Sequence, residues 1–171
     1  MHRPLKITAI ALCVATLGAC SSSTSGSTGS SGSSPASKAL VARTKAANVP
    51  LLDQEAFDTH IHTELIVMVN GAPMTVPTFI GIDQEAIRIA TLHTHDATGL
   101  IHVESPEKNA KYTLEQFLTV WGMPAGADAR CTFFSAQAPC TLAVTSKDSG
   151  KSGLEVRLVD QDELTLTVTS T

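Results

Sequence analysis

Five histidines between residues 60 and 102 are the side chains of this chain best equipped for chemistry. They fall as His60-Ile-His62, as His93-Thr-His95, and as His102 two residues before Glu104. A neutral imidazole is the commonest protein ligand for a metal ion. Residues two apart on a strand point to the same side, so each pair could offer two donors to one cation. Imidazole with carboxylate suits Zn²⁺ or Cu²⁺, and less readily Fe²⁺. The expected ligands are His60, His62, His93, His95 and His102, with Asp96, Glu104 and Glu64 placed to orient an imidazole through its second nitrogen. Met68 is a weak copper ligand by type, although methionines more often fill cores. The competing reading is a hydrogen-bonded or pH-responsive histidine network that needs no metal.

Those donors need strands to hold them. Residues 61–70 alternate, with Ile61, Leu65, Val67 and Val69 on one side and His60, His62, Glu64, Ile66 and Met68 on the other. Asn70-Gly71 is a strong hairpin signal, and residues 72–82 read as the return strand. Pro73 and Pro77 cannot donate to a ladder, so that strand is expected at an edge or interrupted. Residues 87–95 and 100–104 read as a second hairpin turning through residues 96–99. With the turn centred on Ala97-Thr98, His95 pairs with Leu100 and His93 with His102. Opposed Cβ atoms lie about 4.5–5.5 Å apart, near enough to share an ion. A slip of one residue would separate them.

Residues 112–122 predict a helix. Thr113 and Gln116 form a capping box, and Leu114, Phe117, Leu118 and Trp121 make one apolar stripe. Gly122 and Pro124 stop it, and Trp121 is expected in the core. A short Ala-rich helix is expected over residues 38–48, a loop over 125–139, and a polar turn over 146–153. Strands are expected over 140–145, 154–159 and 163–169. One amphipathic helix on a small mixed sheet is an α+β domain. The Thr-Leu-Glu-Gln-Phe-Leu helix and the closing residues 158–166 resemble ubiquitin-like β-grasp domains, which implies that the final strand lies centrally.

The N-terminus carries an address. Arg3 and Lys6 precede an apolar stretch, residues 7–17, too short to span a bilayer. It ends in Leu17-Gly18-Ala19-Cys20, which resembles a bacterial lipobox. The resemblance implies that residues 1–20 are a lipoprotein signal and that Cys20 takes the lipid. Several acyl chains at about 0.8 kcal/mol per buried methylene make a stable membrane anchor. Residues 21–38, almost pure Ser, Gly and Thr at first, read as a flexible tether. A single globular domain is expected over 39–171, held outside the cytoplasm at the cell envelope.

Without Arg3 and Lys6, ten basic residues face sixteen acidic ones, a formal charge of −6. No basic cluster remains for nucleic acid, and aromatic residues, 4% of the chain, are too few for a stacking platform. Cys13 leaves with the signal. Cys131 and Cys140 are expected to pair in an oxidising compartment, closing a loop worth roughly 2–3 kcal/mol. The alternative, two thiolate ligands, is disfavoured because eight intervening residues do not make a Cys-x-x-Cys knuckle.

His93-Thr-His95-Asp96 lacks the adjacent histidine of the metallo-β-lactamase pattern. His60-Ile-His62-Thr-Glu64 is similar to the cupin motif, with its glutamate too early and the glycine spacing missing. The span 60–122 resembles a group of uncharacterised secreted prokaryotic proteins. They share His-x-His on a strand, Leu-His-Thr-His-Asp, Ile-His-x-Glu-Ser-Pro, and a Thr-Leu-x-Gln-Phe helix ending Trp-Gly. The resemblance implies a shared histidine site. No nucleophile elbow, phosphate loop or free Cys–His pair is present, so the reading leans away from an enzyme and from an organic cofactor. The expectation is a tethered domain binding a divalent transition metal. Its alternatives are a surface interaction module with a structural histidine cluster, and a metal-dependent hydrolase.

Overall fold

A computed structural model describes residues 34–148 and 153–171. The expected signal, the Cys20 lipidation site and most of the tether lie outside the described residues, as does part of the 146–153 turn. No helix among the described residues is long and apolar enough to cross a membrane.

The domain is α+β, with three helices among the described residues, one more than the two expected. Helix α1 (Pro35–Ala47) starts inside the expected tether. Ser34 accepts from the Ser37 N–H as its N-cap and Pro35 sits where its fixed φ costs nothing. Asn48, with positive φ, ends it before Pro50 matters. Next come β1 (Leu51–Leu52), β2 (Thr59–Val69), β3 (Ala72–Met74), β4 (Ile82–Asp83), β5 (Arg88–Ala90), β6 (Leu92–His93) and β7 (Leu100–Ser105). Helices α2 (Leu114–Trp121) and α3 (Ala127–Phe133) follow, then β8 (Cys140–Ser146) and β9 (Glu163–Ser170).

The main sheet runs β6-β7-β2-β9-β8, with β3 on the upper part of β2; β1, β5 and β4 form a small second sheet. The Asn70-Gly71 hairpin is present, both residues with positive φ, as a two-residue turn between strands requires. The return strand lasts only three residues. Pro77 ends it early, which leaves residues 59–64 of β2 free to pair with β7. The expected 87–95 strand also breaks. Its first part joins the small sheet and its second, β6, joins the main one.

The alternation of β2 decides which face is core. Leu65 and Val67 pack with Ile101 and Val103 of β7, Leu166 and Val168 of β9, and Leu114, Phe117 and Leu118 of α2. Each such side chain contributes about 1.5–3 kcal/mol by leaving water. The capping box of α2 is complete, and α1 lies against it, with the Gln116 amide donating to the Ala47 carbonyl at 2.9 Å. Trp121 sits at the edge of the core, edge-on to Phe133 and Phe134.

Two expectations fail for backbone reasons. The 125–139 loop contains α3, which carries Cys131 to its disulfide with Cys140. Residues 154–159 are not a strand. Their carbonyls go to the start of α2, where the Leu114 N–H donates to Val156 O and the Glu115 N–H to Leu154 O, so they satisfy helix donors instead of a ladder. The last strand is interior and parallel to β2; the β-grasp likeness goes no further than that placement.

Candidate metal centre

Strand pairing assembles the histidines. His102 of β7 lies opposite His93 of β6 on one side and His62 of β2 on the other. Three imidazoles therefore stand in one row across three adjacent strands, on the face away from the core. One row along, Glu104 lies opposite His60. Neighbouring strands are about 4.8 Å apart, and the rings follow: centroids are 4.6 Å apart for His62 and His102 and 5.2 Å for the stacked His93 and His102.

His95 does not pair with Leu100. The ladder stops at His93, and the chain turns so that the His95 ring comes back to 4.7 Å from His93 and 4.6 Å from His102. Buried Thr94 anchors this turn. Its N–H donates to Ile80 O at 3.1 Å, and its hydroxyl donates to Pro77 O at 2.9 Å and accepts from the Ile80 N–H at 3.1 Å. Gly81 backs onto β6. A Cβ there would meet Leu92 O and come within 3.1 Å of the His93 Cβ, and its φ of +77° already disfavours a side chain. Gly81→Ala is therefore expected to cost about 1–3 kcal/mol and to weaken metal retention together with stability, as denaturant titration and metal content would show. Unchanged retention would mean that β6 does not depend on this close approach.

The donor atoms converge. The His93 Nδ1–H donates to Ala90 O at 2.9 Å. A carbonyl can only accept, so the proton is on Nδ1 and Nε2 presents a lone pair. That Nε2 lies 3.1 Å from His95 Nε2 and 3.9 Å from Glu104 Oε2. Glu104 Oε1 lies 3.4 Å from His102 Nδ1 and 3.5 Å from His60 Nε2. One ligand atom from each of His93, His95, His102 and Glu104 lies within 4.8 Å of the others. Ligands 2.0–2.1 Å from a tetrahedral ion are about 3.3 Å from one another, the scale of these separations.

Hydrogen bonds within the cluster leave two buried atoms unpaired. A proton on His95 Nε2 would satisfy the short contact to His93. It would leave His102 Nδ1 and Glu104 Oε2 buried without a hydrogen-bond partner, and such atoms cost about 1–3 kcal/mol each. Glu104 Oε2 moreover faces the His93 lone pair. A carboxylate aimed at a lone pair is repulsive unless a proton or a metal cation lies between them. The cluster can hold a metal ion.

Burial, the largest influence, pushes the His93 imidazole down to about 3, against the raising effect of Ala90 O, and neighbouring imidazoles lower it further. Burial and then the neighbouring imidazoles bring His102 down to about 4. Burial raises the Glu104 carboxyl, and Glu55 raises it further. Without metal, the unfolded chain takes up protons on these histidines below about pH 6.5 while the folded chain does not until about 3–4. Stability then falls as pH drops through that interval. Glu104 acts in the opposite sense, since its raised folded value favours the folded state on acidification, but it is one group against two. The metal-free protein is expected to lose about 1–2 kcal/mol per pH unit between roughly pH 6 and 4. Chemical denaturation at several pH values checks this; constant or rising stability would contradict it.

Two expected residues lie elsewhere. Asp96 closes its own loop, accepting from the Thr98 N–H at 2.9 Å and hydroxyl at 2.5 Å, and Thr98 holds its carboxyl below the usual range. Glu64 is exposed between Leu100 and Glu163. Neither belongs to the cluster. Met68 is six residues from His62, about 20 Å along the strand, too far to ligate. Glu104 stands among the donors rather than behind an imidazole. Sequence reasoning missed Glu55, whose Oε1 lies 3.7 Å from His95 Nε2; it comes from an irregular segment with no periodicity to mark it. It missed the Ala90 carbonyl as well, because a backbone acceptor leaves no trace in residue types.

No protein-family model, no curated protein and no solved structure matches this chain.

Proposed function

We propose that this is a lipid-anchored extracytoplasmic domain that holds a divalent transition metal, Zn²⁺ or Cu²⁺, and serves in metal capture or handling at the cell envelope. The observation that carries it is the pair of buried atoms without a hydrogen-bond partner, His102 Nδ1 and Glu104 Oε2, set beside the unprotonated Nε2 of His93. His93, His95, His102 and Glu104 would be the ligands. The two cysteines among the described residues are joined to each other, which leaves imidazole and carboxylate, the donors that suit these two ions. One divalent charge balances Glu104 together with Glu55. The lipobox and the tether support the address. The likeness to secreted prokaryotic proteins rests on motifs that include His93, His95, His102 and Glu104.

A second reading is favoured by one feature. Exposed Phe79 and Ile87 line a hollow together with Glu55 and His95, which suits a protein contact at the edge of the cluster. Equilibrating the full chain with Zn²⁺ and measuring metal after desalting separates the two. Metal binding predicts retention by the wild type and loss in a His93→Ala/His102→Ala variant. Equal, weak retention by both would overturn it.

A further inference from the structure

The cluster has more donors than one tetrahedral ion uses. Five imidazoles and one carboxylate lie together, and they divide into two groups. One holds His93, His95, His102 and Glu104; the other holds His60, His62 and His102. Each group is built around a close pair of ring nitrogens: His93 Nε2 and His95 Nε2 at 3.1 Å, and His60 Nε2 and His62 Nε2 at 3.2 Å. Glu104 spans the two. Its Oε2 faces His93 at 3.9 Å, while its Oε1 faces His60 at 3.5 Å.

We infer that the outer face of the sheet holds two divalent cations side by side. The inner lies among His93, His95 and Glu104; the outer lies at His60 and His62; the Glu104 carboxylate is shared between them, and His102 stands within reach of either. This rests on the metal-binding reading above and extends it from one ion to two. A carboxylate has two oxygens, so Glu104 can serve two neighbouring ions, whereas a neutral imidazole has one free lone pair and serves one ion at a time. Two such ions commonly sit about 3.5–4 Å apart.

The two positions differ in exposure. His93 and Glu104 are buried, whereas the His60 side chain is 42% exposed and lies beside Phe57, itself on the surface. The outer ion would complete its coordination with water, as ions with an open position do. It is therefore the weaker and the more exchangeable of the two.

Stoichiometry tests the pair. The full-length protein, stripped of metal and titrated with Zn²⁺ against a competing chelator, is expected to bind two ions per chain, the second more weakly. His60→Ala/His62→Ala is expected to bind one, at the tighter affinity. These side chains lie on the solvent face, so the variant should keep the circular dichroism of the wild type. One ion in the wild type would overturn the pair and leave the single site standing. None would overturn both readings. Two ions in wild type and variant alike would overturn the assignment of the outer position. Loading with Cu²⁺ gives an independent readout. A half-field paramagnetic resonance signal from two coupled ions is expected in the wild type and should vanish in the variant; its absence from fully loaded wild type would contradict the pair.

Discussion

Glu104→Gln is expected to stabilise the metal-free protein and to weaken its hold on metal, two effects of opposite sign from one substitution. Glu104 is buried, its Oε2 has no hydrogen-bond partner, and that oxygen faces an unprotonated imidazole nitrogen. Removing the charge removes the repulsion, and the new amide can donate toward the His93 lone pair. The gain should be about 1–3 kcal/mol, the cost of a buried polar atom left unpaired. An amide is a poor ligand, so Zn²⁺ affinity should fall by at least the 10–100-fold seen when mere supporting residues are changed. Denaturant curves on the stripped protein and a competition titration measure the two effects. If Glu104 were only a structural hydrogen-bonding group, the substitution would lower stability, and metal binding would not respond.

Zn²⁺ is expected to raise the melting temperature of the wild type by roughly 10–15 °C when free metal exceeds the dissociation constant a thousandfold. Binding to the folded state alone contributes about 4 kcal/mol at that ratio. One kcal/mol corresponds to about 3 °C or more in a domain of this size. His93→Ala should lose the shift, since His93 supplies the Nε2 whose proton state is fixed by Ala90 O. That variant also opens a cavity in a fully buried place and melts lower without metal. The diagnostic quantity is therefore the shift on adding metal to each protein. His95→Ala gives a second check, because the His95 side chain is 41% exposed and its loss should blunt the shift without comparable damage to the fold. A wild-type shift within a degree or two would contradict the metal reading.

The legible parts of this fold are those written in local pattern. The alternation of β2, the Asn70-Gly71 turn and the Thr113–Gln116 box each specify their structure within a few residues. The pairing of His93 with His102 was legible for the same reason, as the two lie nine residues apart around one turn. What joins His60 and His62 to them was not. β2 pairs with β7 across about forty residues, and that pairing depends on β3 ending after Met74. Nothing local records a non-sequential neighbour. The break between β5 and β6 was hidden too. Residues 87–95 form one suitable run, yet tertiary pairing sends the halves to different sheets. Residues 154–159 have strand-like composition, but their carbonyls are taken by the first turn of α2. In the cluster, side-chain type identified the donors, while only three-dimensional pairing showed that Glu104 points inward and that Asp96 and Glu64 do not.

X-ray absorption at the zinc edge of the loaded full-length protein reads the ligand set itself. Ligation by His93, His95, His102 and Glu104 gives about four nitrogen or oxygen neighbours near 2.0–2.1 Å, with the outer-sphere scattering of several imidazoles and no sulfur. A sulfur neighbour near 2.3 Å, or oxygen neighbours without imidazole scattering, would contradict it.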